Sequence, residues 1–126
     1  MKKHIIFLFA SLLFLLSGHS AIAQQVSGKF LTTKGNIIKA HIVIKNQAPQ
    51  SLIVEQRIPK GTKVLSTKPA AQKISSSSGM VKWLFKNLSA GDQILTMKVS
   101  PPLQKKPRGV LRYIDPATGK SVEKRF

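Results

Sequence analysis

Hydrophobic and polar residues alternate with a period of two over most of this chain, from about residue 25 onward, and that rhythm belongs to strands rather than helices. Across residues 36–46, Ile38, Ala40, Ile42 and Ile44 fall on one face, and Lys39, His41, Val43 and Lys45 on the other. Across 51–58, Leu52, Val54, Gln56 and Ile58 alternate with Ile53, Glu55 and Arg57. Pro59-Lys60-Gly61 ends this strand, because proline has no N–H for the ladder and glycine accepts turn angles. Residues 62–68, with Val64 and Leu65, read as a short strand stopped by Pro69. The small, polar stretch 70–79, with Ser75-Ser76-Ser77-Ser78-Gly79, reads as a flexible turn or loop, preceded by a short edge strand around 72–75. In 80–85, Val81, Trp83 and Phe85 share one face, with Lys82 on the other. Residues 87–92 form a turn plugged by Leu88. Leu95, Met97 and Val99 then alternate with Ile94, Thr96 and Lys98 until Ser100-Pro101-Pro102 closes the strand. Leu111 and Tyr113 oppose Val110, Arg112 and Ile114 in 109–114. Asp115-Pro116-Ala117-Thr118-Gly119-Lys120 is a hairpin turn, and 121–126 return as the last strand. A first strand falls in 25–33, around Val26, Phe30 and Leu31.

Seven to eight short strands with turns at regular intervals, and no helical stripe, predict an all-β fold: an Ig-like antiparallel β-sandwich. Its central plug should be Trp83, the largest side chain, between the two sheets, with Phe85, Leu88, Leu95 and Tyr113 in the same core.

The first 23 residues break the pattern. Lys2 and Lys3 precede an apolar run, 5–16, interrupted only by Ser11, and Ala21-Ile22-Ala23 offers a small-x-small cleavage site. This is the layout of a secretory signal peptide. Twelve helical residues span about 18 Å, short of the ~30 Å hydrocarbon core, so the run does not read as a membrane anchor. The expected organisation is a signal peptide at 1–23 and one domain at 24–126, exported and periplasmic or secreted. Removing 23 of 126 residues leaves 103, a common single-domain size. No later run is long enough for a spanning helix. Cysteine is absent, so neither a disulfide nor a lipid on an N-terminal cysteine is available.

The run Leu52-Ile53-Val54-Glu55-Gln56-Arg57-Ile58-Pro59-Lys60-Gly61 is followed by 81–92, by the strand Leu95-Thr96-Met97-Lys98-Val99 and by the closing hairpin 113–120. This order resembles the Ig-like "conserved repeat domain" of bacterial and archaeal exported proteins, a family of unknown function, over roughly residues 43–126. The resemblance implies a β-sandwich module used for spacing, adhesion or binding, with no catalytic site to carry over. Members often stand in tandem within large surface proteins. A single short chain with its own signal fits a free periplasmic or secreted module better than a stalk.

Charge adds a second expectation. Without Lys2 and Lys3, the 21 Lys and Arg become 19 against four acids, a net of +15. Such a field attracts anionic partners: envelope glycans, lipopolysaccharide, lipid, extracellular DNA or an acidic protein. The candidate polyanion-binding residues are Lys105, Lys106 and Arg108, in a basic loop, with Arg112 on the next strand.

Catalytic, metal and cofactor readings find no support in the residue inventory. The mature chain keeps one histidine, His41, and four acids, Glu55, Asp92, Asp115 and Glu123, none of them spaced as a general acid–base pair. There is no His/Cys metal set and no phosphate-cradling glycine motif. Sequence-specific nucleic-acid binding is not expected, since only Phe30, Trp83, Phe85, Tyr113 and Phe126 remain as aromatics and several belong to the core. The leading expectation is therefore a non-enzymatic Ig-like binding or interaction module of the cell envelope. The alternatives are a cationic binder of envelope polyanions and a subunit of an envelope assembly joined by edge-strand pairing, above all at the last strand.

Overall fold

The computed structural model describes residues 26–32 and 34–126; the expected signal peptide lies outside the described residues. These residues form strands β1 (Val26–Thr32), β2 (Gly35–Ile44), β3 (Ser51–Arg57), β4 (Lys63–Lys68), β5 (Lys73–Ser75), β6 (Met80–Lys86), β7 (Gly91–Leu103), β8 (Arg108–Ile114) and β9 (Ser121–Arg125), with no helix among them. All pairings are antiparallel, in sheets of order β1-β2-β7-β4 and β5-β6-β3-β8-β9. The fold is an all-β sandwich. In an immunoglobulin constant-type sandwich, strands A-B-E-D face C-F-G. Here β1, β2, β7 and β4 take the first four places and β3, β8 and β9 the other three. The β5–β6 hairpin is inserted after β4 and widens the second sheet beside β3. The three-residue β5 is the strand that carries the total to nine, one above the upper expectation.

Strand β7 also differs from the expectation. It runs through Pro101-Pro102 to Leu103 instead of stopping before them. Its partner β2 shifts register there, with Ile37 opposite Lys98 but Gly35 opposite Leu103. The extra residues sit in this irregularity, where neither proline owes a ladder hydrogen bond.

The core lies between the sheets, around a fully buried Trp83. Val54 of β3 stands opposite Trp83 on one side and Leu111 on the other. Ile38, Ala40 and Ile42 of β2 and Leu95, Met97 and Val99 of β7 are buried with them. Tyr113 is buried too, while Phe85 and Leu88 are half-buried against the cluster. The indole Nε1 donates to the Pro69 carbonyl at 2.9 Å, which ties the β4–β5 crossover over one side of the core. At the opposite side, Phe126 and Gly109 exchange two backbone hydrogen bonds of 3.0 Å, and the Phe126 ring lies across Gly109. A Cβ at Gly109 would stand 2.2 Å from that ring, so the close approach needs glycine there. The ring also stacks at 5.0 Å from Phe30 of β1. Beside it, Lys124 reaches the Val26 carbonyl, and burial lowers its pKa. Burial, aided by the charge of Asp115, raises the Tyr113 phenol.

The serine-rich stretch is a turn, stitched by hydrogen bonds. Ile58 N–H donates to the Gly79 carbonyl at 2.9 Å, and Gly61 N–H to the Ser76 carbonyl at 2.9 Å. Ser78 Oγ donates to Ser75 Oγ at 2.7 Å. The Pro59-Lys60-Gly61 turn is therefore clamped against residues 76–79.

One core position runs against the apolar pattern. Gln56 points inward from β3, fully buried, and neither its amide oxygen nor its nitrogen has a partner among the described residues. An unmet buried amide costs stability that an apolar side chain of the same length does not. Gln56→Met is expected to stabilise the protein by about 1 kcal/mol and raise Tm by roughly 4–8 °C. A melt followed by circular dichroism checks it, and an unchanged or lower Tm contradicts it.

Candidate anion-binding site

Alternation on β3, β8 and β9 decides what reaches the outer face of the five-stranded sheet. Leu52, Val54 and Gln56 of β3 turn inward and are buried, so Ile53, Glu55 and Arg57 turn outward. On β8, Gly109, Leu111 and Tyr113 turn inward, which leaves Arg108, Val110, Arg112 and Ile114 outside. Register then builds rows across the sheet. Arg57 stands directly opposite Arg108, Glu55 opposite Val110, and Ile53 opposite Arg112. In the last pair of strands, Val110 stands opposite Arg125 and Arg112 opposite Glu123. Lys82 of β6 flanks Glu55 on its other side.

An acid–base ladder crosses the middle of this face. Glu55 is a nearly buried carboxylate on an outward position. Arg112 Nη1 meets Glu55 Oε1 at 2.7 Å, and its Nε donates to Glu123 Oε2 at 3.2 Å. Glu123 first, then Glu55, hold the Arg112 guanidinium above its ordinary range, against the desolvation that lowers it. Glu55 Oε2 also lies 3.7 Å from Arg57 Nη2. Arg112 is thus neutralised by two carboxylates.

The end of the face beyond the ladder is different. A hollow of about 640 Å³ opens where β3 ends and β8 begins, walled by Arg57, Arg108, Arg125 and Lys60, with Ile58, Val110 and Phe126 as apolar surface. The side chains that line it include five cations and two carboxylates, a side-chain excess of three positive charges. Among the described residues neither Arg108 nor Arg125 has an ion-pair partner. Like charges directly opposite on neighbouring strands repel by a few tenths to about 1 kcal/mol. Glu55 offsets part of the charge of Arg57, and an anion bound beside Arg108 would offset more of the pair's repulsion. A guanidinium fork offers two parallel N–H donors to a carboxylate or phosphate, so the arrangement is suited to oxyanions.

The four basic residues singled out in the sequence separate in space. Arg108 lines the hollow, and Arg112 lines it while tied to Glu55 and Glu123. Lys105 and Lys106 stay exposed in the β7–β8 loop and do not line it, because the alternation that aims cations at the face begins only at Arg108. Lys106 Nζ instead sits 5.9 Å from the ring centroid of Phe30, the ring that stacks on Phe126. The residues that composition missed are Arg57, Arg125 and Lys60. Arg57 shares parity with Glu55 and Arg125 with Glu123, so their side of the strand was readable, but only register brings them beside Arg108.

Elsewhere, His41 Nε2 lies 3.4 Å from Asp92 Oδ1 on the outer face of the four-stranded sheet. No cluster of three or more His, Cys, Asp or Glu among the described residues is arranged to hold a metal. No helix among them is long and apolar enough to cross a membrane. Comparison of the chain with protein-family models, curated proteins and solved structures gives no match.

The opposed arginines predict a stability effect in the free protein. Arg108→Gln is expected to raise the stability of the ligand-free protein by about 0.5 kcal/mol at low salt, with the gain shrinking toward zero near 0.5 M salt as screening removes the repulsion. Parallel thermal melts at the two salt levels measure this. A loss of stability at low salt would contradict it.

Proposed function

We propose that the chain is an exported, non-enzymatic Ig-like interaction module of the cell envelope, and that it binds anionic ligands through the arginine-lined hollow. The carrying observation is the cross-strand Arg57–Arg108 pair, set among Arg125 and Lys60 at a concavity of ligand-binding size. The strong excess of lysine and arginine over acids supports the same reading, since it draws polyanions toward the surface from a distance. The mature residues offer one histidine and no nucleophile–base pair, which supports a binding rather than a catalytic role. The resemblance to the conserved repeat domain of exported proteins points the same way. Partners of this class are acidic glycans, lipopolysaccharide and other envelope polyanions.

Assembly by edge-strand pairing draws less support. β1 is irregular between Phe30 and Thr32, β4 between Val64 and Ser66, and β5 has only three residues. β9 carries Glu123, Lys124 and Arg125 in succession. Bulges, brevity and charge are the devices by which sheet edges resist pairing.

Dextran sulfate immobilised on a column tests the reading. The protein should be retained at 50 mM salt and released well below 0.5 M. The triple variant Arg57→Gln/Arg108→Gln/Arg125→Gln should flatten the salt slope by about two to three ion equivalents. Lys105→Gln/Lys106→Gln should change it by less. Retention that the triple variant leaves intact would overturn the proposal.

A further inference from the structure

We infer that, among the charged groups an envelope polyanion carries, the hollow prefers one compact phosphate monoester, a terminal dianionic group. The inference rests on the anion-binding reading and narrows it. Its first ground is what borders the arginines along β3 and β8. The Glu55–Arg112–Glu123 ladder forms the inner wall of the hollow, and past it lie Ile53 of β3 and Ile114 of β8, while Lys82, Leu84 and Lys86 follow along β6. A linear polyanion leaving the arginines along β3 or β8 would meet two carboxylates and then apolar side chains.

The second ground is the match of charge and donors. Arg57 and Arg108 stand opposite each other, with Arg125 one row on and across β8, so three arginines line one opening, Arg57 being shared with Glu55. A carboxylate carries one charge and two oxygens, and a single arginine fork satisfies it. A phosphate diester is also a single negative charge, with two free oxygens. A terminal monoester carries nearly two charges at neutral pH and three strongly accepting oxygens. Of the three groups it alone offers both a second charge and a third oxygen, and a sulfate ester, with three oxygens, has only the single charge. Val110 and Phe126 give the hollow an apolar wall for the body that bears the phosphate.

The charged side chains facing this position are Arg57 and Glu55 from β3, Lys60 from the following turn, Arg108 and Arg112 from β8, and Glu123 and Arg125 from β9, with the main-chain terminus of Phe126 beside them. Arginine and lysine keep their charge across pH 5–7, so the ligand's own second ionisation, near pH 6, should dominate the pH dependence. Affinity should therefore rise with pH through that window.

Isothermal titration of the purified protein with phenyl phosphate, diphenyl phosphate and phenyl sulfate tests the site. Phenyl phosphate is expected to bind at pH 7 at least tenfold more tightly than the two monoanions. It should weaken about tenfold at pH 5, as its dianion is protonated, while phenyl sulfate, whose charge does not change, stays level and reports any titration of the protein itself. Arg57→Gln and Arg108→Gln should each cost at least tenfold, with folding confirmed by circular dichroism, and Lys86→Gln, on the same face but away from the hollow, should cost little. Phosphatidylcholine vesicles doped with phosphatidic acid separate the sources. Capture by the vesicles as tight as by the soluble probe assigns a lipid-borne phosphate, and capture of the soluble probe alone assigns a free or glycan-borne one. Equal affinity for monoester and diester would overturn the inference. Retention on dextran sulfate without phenyl phosphate binding would overturn it while leaving the anion-binding reading standing, and failure of both ligands would overturn both.

Discussion

The register of β3 is the constraint on which the rest of the molecule depends. This strand lies in the middle of the five-stranded sheet, and its two faces carry incompatible chemistry. One side holds Leu52, Val54 and Gln56, all buried, and the other holds Ile53, Glu55 and Arg57. Side chains alternate with a period of two, so a slip of one residue would drive Glu55 and Arg57 into the core and expose Leu52 and Val54. Val54, held between Trp83 and Leu111, blocks that slip from both sides. The tryptophan is fixed in turn by its hydrogen bond to Pro69. Hydrophobic packing on the inner face thus determines, at one remove, which charges meet on the outer face.

The charge pattern that results is costly in the free protein. Two arginines face each other across β3 and β8, and a carboxylate is nearly buried beside them. Glu55 is compensated, because Arg112 holds it at 2.7 Å and Glu123 holds Arg112 from the other side. Arg108 and Arg125 have no such compensation among the described residues. A surface optimised only for stability would not keep this arrangement, since either arginine could be a neutral residue without disturbing the core. The clamped turn at Pro59-Lys60-Gly61, stitched to the serine-rich turn, holds the rim of the hollow in place. The groups around the hollow are thereby preorganised by elements that have other reasons to be rigid.

Much of the fold was legible from local pattern alone. The alternation in 51–58, 93–99 and 109–114 marked both the strands and their inner faces, and a lone tryptophan on an apolar face marked the centre. What stayed hidden depends on residues far apart in sequence. Arg57 and Arg108 are separated by fifty residues, and nothing local says that their strands are neighbours in this register. The loop lysines drew attention because cations adjacent in sequence are visible, whereas cations adjacent in space are not. Pro101-Pro102 looked like a strand end because proline lacks a ladder donor, and only the register shift of β2 explains why the strand continues. Gln56 reads as one polar residue in an alternating strand, and its unmet amide is apparent only once both sheets surround it.

The opposition of positions 57 and 108 can be measured directly, because the chain contains no cysteine of its own. Antiparallel partners have Cα atoms about 4.5–5.5 Å apart, within the span of a disulfide. In the double variant Arg57→Cys/Arg108→Cys, oxidation is expected to give an intramolecular disulfide in a protein that still melts cooperatively. The control pair Ile53→Cys/Arg108→Cys, displaced along β3 on the same face, should stay reduced. Ready closure of the control pair, or failure of the 57–108 pair to close, would contradict the register and with it the arginine-lined hollow.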